Sequence, residues 1–128
     1  MQILLDTHIA LWALTDDRRL SANARDAVSE PDNAIWVSAA SIWEIAIKHA
    51  LGRSGIPFPA RKAIGYFDQA GYQLLAVQPE HAAAVETLPP LHGDPFDRML
   101  IAQALTEPLR LMTHDRVLAA YSDTVILV

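Results

Sequence analysis

The chain has 128 residues, 52% apolar and 20% charged, which suits a soluble globular protein and excludes a disordered or collagen-like one. Ten Lys and Arg against fifteen Asp and Glu give a net charge of −5, so bulk positive charge does not hold duplex DNA here. The absence of cysteine removes disulfide scaffolds, thiolate metal sites and thiol nucleophiles together, and it fits a reducing cytosol.

The length suits one domain over residues 1–128. Gln2–Leu5 is a short apolar run closed by Asp6 and predicts a buried strand. His8–Leu14 predicts a helix, and Ser21–Glu30 a second with Ser21 as its N-cap. Ala34–Val37 predicts a strand, followed by a helix over Ser41–Leu51. Gly52–Pro59 reads as a loop, then Pro59–Gly71 as a helix ending on glycine. Gln73–Val77 predicts a third strand. Pro79–Leu88 and Pro95–Glu107 predict helices, each opened by a proline suited to the first turn. Leu109–Thr113 predicts a fourth strand, Arg116–Ala120 a short helix and Thr124–Leu127 a fifth strand. Short apolar strands alternating with helices predict an α/β fold with a parallel sheet. The start Met1–Asp6 lacks the basic and apolar pattern of a secretory leader. The longest apolar run, Ile9–Leu14, is far shorter than the ~18 residues of a spanning helix.

Four acids stand out by position: Asp6 at the end of the first strand, Glu44 in the helix after the second, Asp97 in the first turn of the helix feeding the fourth, and Asp115 just beyond it. Strand C-termini and the helix N-termini that follow share one edge of a parallel sheet, so the four can converge on one crevice. Each also makes sense as a cap. Asp6 can cap the helix at His8, Ser41–Glu44 spells a capping box, Glu44 can pair with Lys48, and Asp115 can cap Arg116–Ala120. Asp94, before Pro95, reads as a cap alone.

Together the acids strain the capping account. Like charges ~6 Å apart cost roughly 2–3 kcal/mol per pair at an effective dielectric of about 20. No Lys or Arg stands at the ends of the first two strands to neutralise them. Either some acids hold protons or a cation sits among them, and hard oxygen ligands suit Mg²⁺ or Mn²⁺. Thr7, Ser38 and Thr113 lie at strand ends beside the acids, either as supporting hydroxyls or as turn caps.

The five histidines show no metal-ligand spacing. His8 and His114 flank acids and either touch substrate or are exposed polar residues. No G-x-S-x-G, phosphate-cradling glycine loop or G-x-G-x-x-G is present, which counts against serine hydrolases, P-loop enzymes and dinucleotide binders. Trp12, Trp36 and Trp43 fall in apolar segments and read as core or interface. Arg53, Arg61 and Lys62 form either a solvated loop or a basic lip that steers a nucleic-acid backbone.

Four segments, Leu4–His8, Ser38–Lys48, Asp94–Ala104 and Thr113–Asp115, resemble the PIN-domain ribonucleases, and among them the VapC-type toxins of toxin–antitoxin pairs. Any one segment is weak. All four in order and in register span the chain and are specific. The resemblance implies a small parallel sheet of four to five strands flanked by helices, an acidic pocket for Mg²⁺ or Mn²⁺, and endonucleolytic cleavage of RNA. Asp6, Glu44, Asp97 and Asp115 match the family's acidic quartet, and Thr113 its supporting hydroxyl. The resemblance also implies a homodimer inhibited by a cognate, VapB-like antitoxin. The low basic content leaves the RNA-binding surface unplaced. Two other readings compete: a non-catalytic PIN-like module that binds RNA or protein, and a metal-dependent phosphohydrolase of another α/β fold. The complete acid set opposes the first. His8, at the position where aspartyl-nucleophile phosphatases want a second acid, opposes the second.

Overall fold

The computed structural model describes residues 1–52 and 55–128. The elements are β1 (Gln2–Leu5), α1 (Thr7–Thr15), α2 (Ala22–Ser29), β2 (Ala34–Ser38), α3 (Ala39–Ala50), α4 (Ala60–Gln69), β3 (Gln73–Leu75), α5 (Pro79–Ala84), α6 (Pro95–Thr106), β4 (Arg110–Thr113), α7 (Arg116–Ala119) and β5 (Ile126–Leu127). A 3₁₀ turn at Val85–Thr87 continues α5. The five strands form one parallel sheet in the order β3-β2-β1-β4-β5. Ile3 pairs with Ile35 on one side and Arg110 on the other.

The central strand is apolar on both faces because both are covered. Ile3 and Leu5 point into a core with Ile9, Ile45, Phe67 and Met112, to which α1–α4 contribute. Leu4 points the other way, to Leu111, Leu118 and the Leu100 and Ile101 of α6. Alternation at period two thus divides one tetrapeptide between two cores.

A buried polar line crosses the second side. Ser38 Oγ donates to Gln103 Oε1 at 2.6 Å, and Gln103 Nε2 donates to the Ala76 carbonyl at 3.3 Å. His81 Nδ1 accepts from the Gln78 N–H, which leaves the ring proton on Nε2, directed at Glu107 Oε2 at 2.6 Å. Ser38, His81 and Gln103 are fully buried.

The predicted elements are all present; the fifth strand is shortened to Ile126–Leu127 and the helix from Pro79 ends at Ala84, and three further boundary differences have a clear physical cause. Helix α3 begins at Ala39, not Ser41, because β2 runs into it without a loop and Ser38 caps it, accepting from the Ala40 N–H. Glu44 therefore lies a turn deeper in the helix than a capping box requires. Strand β3 stops at Leu75, since it lies at the sheet edge and pairs only with β2. Pro59 is the cap of α4 rather than its first residue, and Gly71 follows the helix at φ +83°, a conformation that favours glycine. Of the expected basic lip, Arg53 lies outside the described residues, while Arg61 and Lys62 are exposed in the first turn of α4.

Leu4→Ala is expected to destabilise by about 2–5 kcal/mol, since Leu4 is fully enclosed at the centre of the sheet. Leu127→Ala, half-exposed on the edge strand, is expected to stay within about 0.5 kcal/mol. Urea unfolding of both variants measures the difference.

Candidate functional site

The chain leaves β1 toward β2 on one side of the sheet, and β4 and β5 fill the other, so the winding direction reverses at β1. The crevice beyond the carboxyl ends of β1 and β4 is the switch point where α/β sheets bind ligands. Asp6 follows β1 there and Asp115 follows β4.

Thr113 joins them. Its Oγ1 donates to Asp6 Oδ2 at 2.6 Å and accepts from the Asp115 N–H at 3.0 Å. Asp6 also caps α1, its Oδ1 accepting from the Ile9 N–H at 3.0 Å. Asp115 Oδ1 accepts from the Val117 N–H and so caps α7. Its Oδ2 lies 3.0 Å from His92 Nε2. Burial works to raise the Asp115 carboxyl, but the Val117 N–H and His92, with His114 beside it, outweigh that and hold it below the usual carboxylate value.

Asp97 stands in the first turn of α6 without capping it. Asp94 is the cap, accepting from the Phe96 and Asp97 N–H groups, as its sequence position predicts. Burial pushes the Asp97 carboxyl up to about 7; the negative charges of Asp94, Asp6 and Glu44 add to the rise, and His92 opposes it. Asp97 Oδ2 lies 3.4 Å from His92 Nε2. The charges of Asp6 and Glu44 thus reach Asp97, and His92 bridges Asp97 to Asp115.

Glu44 is 3% exposed. Its Oε2 pairs with Lys48 Nζ at 2.5 Å, one helical turn on. Its Oε1 is buried without any hydrogen-bond partner. A buried acceptor left empty is costly and calls for a cation or water. Among the described residues, His92, Asp97 and Asp115 bring one ligand atom each within 4.8 Å of one another, a spacing that suits one metal ion. Carboxylates with one free buried oxygen and one imidazole fit a divalent cation.

The expected hydroxyls divide. Thr113 bonds Asp6 directly. Thr7 donates to Ser41 Oγ at 2.8 Å, bracing α1 against α3. Ser38 spends its hydroxyl on Gln103 and the α3 cap. Lys48 pairs with Glu44, as the i,i+4 spacing predicts, and offsets part of the expected repulsion. One feature was absent from the sequence reading. His92 sits among the acids in a loop that reads as a connector. Its position two residues before the Asp94 cap was the available signal, since the start of α6 lies at the crevice. His92 is held firmly: its N–H donates to Tyr121 Oη at 2.9 Å, and its Nδ1 accepts from the Asp94 N–H at 3.0 Å. With Nδ1 accepting, Nε2 is the nitrogen that faces the carboxylates as a donor. Of the tryptophans, Trp36 Nε1 bonds Gln2 Oε1, while Trp43 is 64% exposed beside Phe96.

Comparison with known proteins agrees with this geometry. The PIN domain profile matches residues 3–123. Ribonuclease VapC22 of Mycobacterium tuberculosis is 31% identical over 122 residues, covering 93% of this chain and 91% of that protein. The structure of VapBC2 from Rickettsia felis bound to a DNA fragment from its promoter superposes with a TM-score of 0.68 at 15% identity, covering 100% of this chain and 98% of that one. VapBC-1 from nontypeable Haemophilus influenzae superposes with a TM-score of 0.63 at 17% identity, covering 100% and 97%. At those identities the structural likeness is one of fold, while the profile and the sequence relative carry kinship: the chain belongs to the PIN-domain family and, within it, sides with the VapC-type ribonucleases.

Proposed function

We propose that this chain is a metal-dependent endoribonuclease and the toxin of a type II toxin–antitoxin pair. The observation that carries the catalytic reading is Glu44 Oε1, a buried carboxylate oxygen without a partner on a side chain whose charge reaches Asp97. A binding module has no use for such an atom. The 31% identical relative, a ribonuclease by name, supports RNA as the substrate.

Asp6, Glu44, Asp97 and Asp115 would hold Mg²⁺ or Mn²⁺, which supplies an activated water and braces the scissile phosphate. The chain's own residues prepare that site. Thr113 fixes the rotamer of Asp6, and Lys48 holds Glu44 by one oxygen so that the other stays free. His92 Nε2–H orients Asp115. Burial and the neighbouring acids raise the Asp97 carboxyl to about 7, and a bound cation would favour its charged form.

We also assign this chain a cognate antitoxin and a homodimer. The superposing VapBC assemblies support the antitoxin. For the dimer, α3 presents Trp43 and Ile47 to solvent, with Leu51 just beyond its end, four residues apart, and α4 adds Ile64 and Tyr66. A stripe of large apolar side chains on so small a protein favours burial against another chain. A cationic antitoxin segment would complement the acidic crevice.

Asp97→Asn is expected to abolish RNA cleavage, a loss of at least about 100-fold, because an amide holds Mg²⁺ poorly. Asp94→Asn is expected to retain cleavage, since Asn caps as well as Asp. Asp97→Asn also reports the raised carboxyl. With a folded value of about 7 against an ordinary 3.8, Asp97 binds more protons folded than unfolded between those limits. Its contribution to stability is therefore full below about pH 4 and is lost as pH rises through 7. In chelator, wild type is expected to gain stability over Asp97→Asn as pH falls from 8 to 5, and thermal melts of both proteins check this.

Calorimetry is expected to find Mg²⁺ or Mn²⁺ binding that disappears in Asp6→Asn. His92→Ala should weaken binding about 10- to 100-fold, and His92→Gln, whose amide can still donate to Asp115, should recover most of it. Equal affinities in all four proteins would remove the metal site. Light scattering is expected to give a dimer for wild type and a monomer for Trp43→Asp.

A further inference from the structure

A cavity of about 410 Å³ opens beside the acidic crevice. It lies between α1, α3 and residues 55–57, and its walls include both Thr7 and Glu44, so it is continuous with the site. On its other side stand Trp12, His8 and Arg19. Its size falls within the about 300–1,000 Å³ of clefts that take small organic groups.

Two rings, His8 and Trp12, line the cavity. With His114, which lies outside the lining, they contact one another in a triangle, with centroids 4.9 to 5.9 Å apart. Both histidines are exposed and Trp12 is half-buried. His8 is two residues from Asp6 and His114 is next to Asp115, so the strand ends that place the acids also place the rings. Arg19 sits over the same indole, its Cζ 5.0 Å from the ring centroid. Asp17 holds the guanidinium there by two bonds, Nε to Oδ1 at 3.0 Å and Nη2 to Oδ2 at 2.8 Å. Arg19 Nη1 makes no hydrogen bond among the described residues. A planar cation fixed beside an indole, with three N–H groups unspent, is a surface for a flat, polar ring.

We propose that this cavity is a nucleobase subsite that receives one unpaired base of the nucleotide adjoining the scissile phosphate. The inference rests on the reading of the chain as a ribonuclease. Aromatic and guanidinium faces stack unpaired bases, and a recessed cavity admits a splayed-out base but not a base pair. Arg19 is neutralised by Asp17 and Lys48 by Glu44, so the subsite draws its affinity from stacking rather than net charge. That accounts for RNA binding by a chain of net charge −5.

The test uses single-stranded RNA carrying one abasic nucleotide, moved stepwise past the cleavage position, with wild type, Trp12→Ala, Trp12→Phe and Arg19→Ala. In wild type, the abasic nucleotide is expected to lower kcat/KM roughly 5- to 150-fold at one position adjoining the cut and nowhere else. Trp12→Ala should lose a similar factor on intact RNA, lose nothing further on that abasic RNA, and bind Mg²⁺ as wild type does. Trp12→Phe should recover most of the loss. Arg19→Ala, at an exposed position, gives the same comparison should Trp12→Ala fold poorly. A flat abasic scan, or equal losses on intact and abasic RNA, overturns the subsite while leaving the nuclease standing. If wild type cleaves no RNA, fluorescence anisotropy decides. Tighter binding of intact than abasic RNA that vanishes in Trp12→Ala keeps the subsite and rejects the nuclease; no difference rejects both.

Discussion

The hydrogen bond from Thr113 to Asp6 is the contact on which the site depends. It spans the junction of β1 and β4, where the winding of the sheet reverses. Two strands far apart in the chain are paired in register, and their last residues must then meet at one level. Asp6 holds α1 with one oxygen and Thr113 with the other, so helix, strand and crevice share one carboxylate. The acid cannot rotate without losing a cap or a bond, and a rigid carboxylate is what a metal centre requires.

Capping and chemistry are therefore not alternatives here. Asp6 and Asp115 each give one oxygen to a helix N-terminus and turn the other inward. A parallel sheet places helix starts at the carboxyl ends of its strands, so the position that favours a capping acid is also the position that favours a site acid. Asp97 and Asp94 divide the two roles: Asp94 bonds the N–H groups of α6, and Asp97 is left free to face the crevice.

Much of this was legible in the sequence. A short apolar run closed by Asp6 marked β1, and prolines marked the starts of α5 and α6. Side-chain meetings across long separations were not legible. His92 reaches Asp115 because a loop folds back, and no periodicity records that. The cap of α3 moved to Ser38 because β2 enters the helix directly, while Ser41–Glu44 satisfied the local pattern equally well. Ser41 is instead the acceptor for Thr7, a contact between two helices that a pattern within one helix cannot express.

The buried line through Gln103 has a consequence for the register of α6. Gln103 and Asp97 lie on the same helix, six residues apart. A slip of α6 by one residue would turn it by about 100° and shift it by about 1.5 Å. Ser38 and Gln103 would then be stranded without partners in an apolar interior, and Asp97 would swing out of the crevice. The interior amide thus acts as a detent: it admits one axial setting of the helix, and that setting is the one that aims Asp97.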